Sequence, residues 1–474
     1  MPQNIVWIMT DQHRRDCVGA YSNLPVETPN LDRLAEQSVV FDRHYSTCPL
    51  CVPARSSLHT GRYPHSCGAM INGFGKDTDT NPGQLNADEI TLPELLSEAG
   101  YRVGHIGVDH VRAQPPLRES EWMDTYISKR EHKEYAEAKG LEFPDMTPHR
   151  HLCPTRYGDD DIRETYCSAP NPGTHPFEPE DYYDFFLARH AVDFIESGSD
   201  DRPYFLGAFF WMPHPPFVIP EPYRSMYSPE DIELPPNIPG TQQGKPDIHL
   251  HHLPGQVGAD RTEREWREAW AAYYGCVTLV DEAIGHVLDA IFASDDANDT
   301  LIIFHPDHGE MLGAHEYFQK MLCYEEATHL PMMISAPGIE AGRRDCLTSH
   351  VDIAPTVLDF AGVDVPGRMQ GSSVMPVMNG DTDSVRDAAF TEYNGNAVVD
   401  PYLFQRSMVQ EDYKYIWNLA GPNELHNLRQ DPYEMQNLAT DPQYAEVVAA
   451  MDERLQSWRE ETGDVFPDYS VDET

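Results

Sequence analysis

The chain has 474 residues, more than a single hydrophobic core ordinarily organises, so one large domain with a smaller companion is expected. Apolar residues make up 40%, ample for a packed globular protein, and no apolar run reaches membrane-spanning length. Against 34 Lys and Arg stand 78 Asp and Glu, and the net charge of −44 argues against nucleic acid and anionic membrane as partners. In chain order, residues 4–9 are a short apolar run of the kind that forms a buried parallel strand. They deliver Thr10, Asp11, Gln12 and His13 to the strand's carboxyl end, where α/β sheets place their chemistry. Thr28-Pro29 opens an amphipathic helix with a cap and a first-turn proline. Residues 39–45 read as a strand feeding the segment around Cys51. Thr91-Leu92-Pro93-Glu94 has the form of a capping box, its helix ends at Gly100, and 101–108 returns as a strand into Asp109-His110.

The stretch 112–178 is rich in His, Pro and charges with weak periodicity, and reads as an excursion over the face where the strands end. Residues 180–197 are helical, with Tyr182, Phe185, Phe186, His190, Val192, Phe194 and Ile195 on the apolar face. A strand at 204–211 ends in Met212-Pro213-His214, and a proline-rich excursion over 217–260 precedes a long helix at 263–293. A buried strand at 301–304 runs into Asp307-His308. Another follows at 331–335, then a helix at 353–361. Beyond about 385 the pattern changes to antiparallel strands at 389–393, 406–410 and 413–417 and a closing helix at 443–461. The expected architecture is a doubly wound α/β domain with a mixed sheet over 1–380, and a smaller C-terminal α+β subdomain over 381–474.

Nine scattered cysteines do not resemble a disulfide framework, and thiols are expected. The start has neither a basic n-region nor a cleavage site, which reads as cytoplasmic. Histidine-rich patches at His249, His251 and His252, and at His149 and His151 with Cys153, read as solvated loops. The oligomeric state stays open, an oligomer being compatible with the chain. In so acidic a chain an anionic ligand would need a locally positive pocket to receive it, although solvation in a salty habitat accounts for the acidity equally well.

Chemistry concentrates in Cys48-Pro-Leu-Cys51-Val52-Pro53-Ala54-Arg55 and the Thr60-Gly61-Arg62 that follows. Pro53 suits the first turn of a helix, which sets Cys51 at an N-terminus where orphan N–H groups favour an anion. Read alone, Cys48-x-x-Cys51 is also compatible with a redox pair or half a zinc site, although no second such pair follows at zinc-like spacing. Asp11, Gln12, Asp307 and His308 offer two carboxylates, an amide oxygen and an imidazole, a hard donor set for a divalent cation. Each pair alone is more ordinarily a turn.

The order C-x-P-x-R followed by T-G-R resembles the signature by which sulfatases have a cysteine oxidised to formylglycine. With the two strand-end pairs and Asp431-Pro432-Tyr433-Glu434-Met435-Gln436-Asn437-Leu438, the chain resembles the formylglycine branch of the alkaline phosphatase superfamily, which holds sulfatases and phosphonate monoester hydrolases. The resemblance implies a metal-dependent hydrolase that cleaves sulfate esters through a formylglycine gem-diol derived from Cys51. The alternative is a phosphonate monoester or phosphodiester hydrolase with the same nucleophile. It implies catalytic roles for Cys51, Arg55, His110, His214 and Lys320, and one divalent metal held by Asp11, Gln12, Cys51, Asp307 and His308. Ca²⁺ is favoured and Mn²⁺ also suits the set. A formylglycine-generating enzyme is the implied maturation partner, and together with the chain's acidity the resemblance implies a small anionic ester rather than a long polysulfated glycan as substrate. Two positions depart from the sulfatase pattern: Gln12 replaces an acid, and Val108 stands where many members have a lysine.

Overall fold

The computed structural model describes residues 3–73, 82–156, 162–197, 202–240, 245–396 and 403–465. Parts of the expected excursions, at 157–161 and 241–244, and residues 466–474 of the expected subdomain lie outside the described residues. The strands in chain order are β1 Asn4–Asp11, β2 Val39–Tyr45, β3 Arg102–Gly107, β4 Thr125–Ile127, β5 Arg150–Arg156, β6 Ile162–Ser168, β7 Gly173–Thr174 and β8 Tyr204–Pro213. They continue as β9 Val218–Ile219, β10 Thr300–Pro306, β11 His329–Ser335, β12 Gly342–Ser349, β13 Ala389–Tyr393, β14 Gln405–Gln410, β15 Tyr413–Asn418 and β16 Glu424–Asn427.

Eight of these make one sheet in the order β12-β2-β11-β10-β1-β8-β3-β4. Seven run parallel and β11 alone is antiparallel, inserted between β10 and β2. Strand β1 shows why the sheet is doubly wound. Val6 and Ile8 enter the core formed with the helices Tyr183–Glu196 and Glu263–Ala293, while Ile5, Trp7 and Met9 enter the one formed with Leu92–Glu98 and Ile353–Ala361. A strand buried on both faces can be apolar throughout, which is why its sequence lacks alternation. Each such side chain contributes about 1.5–3 kcal/mol of transfer free energy.

The parallel direction brings the carboxyl ends of β1, β2, β3, β8 and β10 to one edge. Gly107 closes β3 with φ at 130°, and a Cβ there would meet the Phe209 carbonyl oxygen at 1.8 Å. Only glycine lets β3 approach β8 this closely just before the chain turns toward His110.

A second sheet, β13-β14-β15-β16, is antiparallel throughout and forms the smaller C-terminal unit. The helix Ala445–Thr462 lays Met451, Leu455 and Trp458 on it, against Phe390, Met408 and Tyr415.

Several expectations need correction. The 112–178 excursion is more structured than its composition implies: it adds β4 to the main sheet, then the helix Lys129–Lys139 and the β5–β6 hairpin. Strands β12 and β16 were not expected, because Gly342-Arg343-Arg344-Asp345 and Glu424-Leu425-His426-Asn427 are too polar to read as strands. β12 is an edge strand whose first half is exposed or half-buried, and β16 buries Glu424 in one ion pair with His426 and a bond from the Tyr324 hydroxyl. The capping box at Thr91 is only half made: Glu94 accepts from the Thr91 backbone N–H, but Thr91 Oγ1 has no partner. His249 and His252 are buried rather than solvated, bonded to Gln405 and the Tyr393 hydroxyl, while His251 is exposed. None of the nine cysteines is in a disulfide.

Candidate active site

Cys51 begins the helix Cys51–Thr60, every residue of which is buried. Leu50 supplies no side-chain cap, and Asn72 Oδ1 instead accepts the Val52 N–H at 3.1 Å. The Cys51 thiol is therefore fixed at a helix start and turned toward the ends of β1 and β10. Its sulfur lies 3.1 Å from His308 Nε2, 3.1 Å from Lys320 Nζ and 3.8 Å from Asp11 Oδ1.

Arg55, one turn on, donates from Nε to Asp307 Oδ2 at 2.8 Å and from an Nη to Asp11 Oδ2 at 3.0 Å. This fork clamps the outer oxygen of each carboxylate and leaves the inner oxygens facing His308 Nε2, at 3.9 Å for Asp11 and 3.6 Å for Asp307. His308 Nδ1 lies 3.0 Å from the Gly309 carbonyl and donates to it, which fixes the tautomer and presents the Nε2 lone pair to the same space. Donor atoms of Asp11, Cys51, Asp307 and His308 all lie within 4.8 Å of one another.

Gln12 sits at φ 64°, a strained position for a non-glycine residue. Its N–H donates to Asp307 Oδ1 at 3.1 Å and its carbonyl accepts from the Tyr273 hydroxyl at 2.8 Å, and these bonds hold the turn. The side-chain amide donates to Glu310, so its oxygen faces inward and accepts from Lys320 Nζ at 2.5 Å. Lys320 also donates to His214 Nε2 at 2.9 Å, and His214 Nδ1 donates to the Pro215 carbonyl at 2.6 Å. His110 Nδ1 approaches Asp11 Oδ2 at 3.9 Å and has no hydrogen-bond partner.

Charge states follow from burial. Burial and repulsion by Asp307 push the Asp11 carboxyl up to about 7. Burial also opposes ionisation of Asp307, but His308, Arg55 and Lys320 outweigh it and hold that carboxyl well below its usual range. Burial pushes the Cys51 thiol up to about 12 and drives His308 and His110 down to about 3, leaving both imidazoles neutral. Burial and the Lys320 charge likewise hold His214 neutral. Lys320 stays cationic: burial lowers its pKa, and Cys51, Asp11 and Asp307 more than compensate.

The fold thus brings together Asp11, Gln12, Cys51, Arg55, His110, His214, Asp307, His308 and Lys320. Three further residues were not singled out from sequence. Glu310 is fully buried and orients the Gln12 amide while accepting the Leu312 and Gln319 N–H groups. Its signal was its place two residues after His308. Tyr273 ties Gln12 to the long helix, and Trp211 lies against His214 at 4.4 Å between ring centroids. Neither carries a sequence signal of its own.

Comparison with known proteins agrees with this geometry. The family model described as "Sulfatase" matches residues 3–363, and the one described as "N-sulphoglucosamine sulphohydrolase, C-terminal" matches residues 313–461. An arylsulfatase of Clostridium perfringens is 29% identical, covering 94% of this chain and 92% of its own. The multifunctional alkaline phosphatase superfamily protein PehA of Trinickia caryophylli is also 29% identical, covering 96% and 95%. The crystal structure of the phosphonate monoester hydrolase of Agrobacterium radiobacter superposes with a TM-score of 0.80 at 25% identity, covering 97% of this chain and 96% of the other. Matched over most of its length, the chain belongs to the sulfatase family, within the alkaline phosphatase superfamily.

Proposed function

We propose that this chain is a sulfuric ester hydrolase whose nucleophile develops from Cys51, with Arg55, His110, His214 and Lys320 as its acid–base and charge-handling groups. The observation that carries the reading is the position of Cys51 Sγ, 3.1 Å from both the His308 lone pair and the Lys320 ammonium. A thiol pushed up to about 12 is a poor nucleophile at neutral pH. Conversion of Cys51 to formylglycine by a formylglycine-generating enzyme puts an aldehyde there, which water hydrates to a gem-diol whose hydroxyl is the nucleophile, and this answers that difficulty.

The donor set fits a divalent cation: two inward carboxylate oxygens, an inward amide oxygen and a neutral imidazole of fixed tautomer. A cation bound there by Asp11, Gln12, Asp307 and His308 supplies Lewis-acid polarisation of the ester oxygens. Oxygen donors outnumber nitrogen, which favours Ca²⁺ and admits Mn²⁺.

The chain's own residues do the rest. Arg55 holds the two carboxylates in register and adds positive charge beneath the reacting group. Lys320 faces the non-bridging oxygens and absorbs charge that develops on them. It also carries the proton nearest to a departing alcohol, relayed through or steered by His214 Nε2. His110 is neutral with an open Nδ1, the state required to take a proton from the nucleophile. We place the division between the catalytic domain and the C-terminal subdomain at residues 380 and 381, ahead of the second sheet.

Phosphonate monoester hydrolysis is the second reading, favoured by Val108, which is buried in the apolar core where a sulfuryl-gripping lysine is otherwise expected. Mass spectrometry of the Cys51–Arg55 peptide tests the aldehyde. Comparison of kcat/KM for 4-nitrophenyl sulfate and phenylphosphonate monoester on metal-defined enzyme separates the two activities, and a thiol with neither activity would remove both readings.

A further inference from the structure

Trp211 has the active site on one side and an open pocket on the other. Its ring lies 4.4 Å from that of His214 and 6.4 Å from that of His110, while Lys129 Nζ stands 5.3 Å from its centroid. The pocket has a volume of about 370 Å³, within the range of small-molecule sites, and His214, Trp211, Lys129 and Arg150 line it. His214 and Trp211 are therefore walls of both spaces.

Two features of the pocket stand out against the rest of the chain. First, no Asp or Glu occurs among its described lining residues, although the chain carries 78 of them. Lys129 and Arg150 form no ion pair with any described residue, and Arg150 acts on Asp145 only at a distance. Desolvation and the proximity of Arg150 both push the Lys129 pKa below the usual lysine range, as for two cations held near one another. Second, the walls are aromatic. Phe143 is 48% exposed at the rim, held edge-on by His132 at 5.9 Å and by His175 at 6.4 Å. A large exposed aromatic with a fixed orientation is a surface for stacking a ring.

Resting on the hydrolase reading above, we propose that this pocket is the leaving-group subsite and takes a ring-bearing alcohol with a second anionic substituent, a carboxylate or a sulfate. The ring lies between Trp211 and Phe143, the ester group reaches past His214 to Lys320 and Cys51, and the distal anion meets Lys129 and Arg150. The substrate is then a small dianion. Its distal charge is received by the local cations against the overall negative field, and its ring supplies the apolar contact.

The test compares 4-carboxyphenyl sulfate and 4-sulfophenyl sulfate with neutral 4-carbamoylphenyl sulfate on wild type, Lys129→Ala and Arg150→Ala. Both positions are exposed, so the variants are expected to fold, which their Tm checks. Wild type is expected to favour at least one anionic ester in kcat/KM, and each variant to lose about tenfold on it while the neutral ester changes by less than about twofold. Which anionic ester is favoured identifies the substituent. Equal losses on charged and neutral esters, or none, would overturn the proposal. Calorimetric binding of 4-hydroxybenzoate against 4-hydroxybenzamide needs no turnover. Lys129-dependent preference for the acid without hydrolysis of any ester would remove the hydrolase reading and leave the anion pocket standing.

Discussion

Lys320 Nζ donates to His214 Nε2 at 2.9 Å, and because His214 Nδ1 is already committed to the Pro215 carbonyl, the mobile proton of this pair belongs to the lysine. Lys320→Ala is therefore expected to lower kcat/KM by about 10²–10⁴-fold for esters of poorly acidic alcohols. The loss should shrink as the leaving group becomes more acidic and needs less protonation. A steady-state series of aryl sulfates of graded leaving-group pKa measures this, and an equal loss across the series would assign Lys320 to holding the sulfuryl oxygens alone.

Cys51→Ser places a single hydroxyl where the sulfur stood and, as serine, lacks the second oxygen of a gem-diol. Multiple turnover should drop by about 10⁴-fold or more, as when a nucleophile is removed from other hydrolases. Near-wild-type turnover in this variant would refute the nucleophile assignment.

Removal of Arg55 leaves two carboxylates, both fully buried, without their shared partner. Arg55→Ala should cost about 3–5 kcal/mol of stability, read as a fall in Tm. If the pair is a cation site, added Ca²⁺ should raise the Tm of the wild type and recover part of the loss in Arg55→Ala, but should do neither in Asp307→Asn. Metal analysis after dialysis against a chelator, then against Ca²⁺ or Mn²⁺, should return one ion per wild-type chain.

His65 Nδ1 pairs with Glu392 Oε2 at 2.5 Å and ties the segment after the Cys51 helix to β13. Burial opposes the charged imidazole, but Glu392 and Asp464 outweigh it and raise the pKa above 6.5. A raised pKa means the folded state holds the proton more tightly than the unfolded one. The stabilisation is thus full below the unfolded value of 6.5 and is lost as pH rises through the folded value. The Tm difference between wild type and His65→Gln should be largest below pH 6.5 and fade as pH rises through the raised folded value. A difference that stays constant across that range would assign His65 to packing alone.

Much of the catalytic fold was legible because its strands are short apolar runs and its helices carry clear starts. The helix Glu263–Ala293 and the strands β2 and β13 have the bounds that their periodicity and flanking residues indicate, while β1 runs two residues past the expected 4–9. Strands β12 and β16 were hidden, since their residues are polar and only tertiary partners make them extended: β12 lies beside β2, and β16 buries Glu424 against His426 and the Tyr324 hydroxyl. The convergence of the candidate site was legible for residues at strand ends, as with Asp11 and Asp307. It was not legible in Glu310, Tyr273 and Trp211, which act through residues distant in sequence and have no motif of their own. The histidines at 249 and 252 show the converse, because polarity alone pointed to the surface while their bonds to Gln405 and Tyr393 hold them inside.

Cys51 is only 3% exposed, and the groups that enclose it, His308 and Lys320, lie 257 and 269 residues further along the chain. During synthesis that interval corresponds to about 10–50 s at ordinary elongation rates. An oxidising enzyme can reach the sulfur while the polypeptide is still emerging, before the last partners exist to cover it. If Cys51 is converted as proposed, the opportunity passes once they have closed over it, and the finished molecule's chemical competence would be decided by its history on the ribosome.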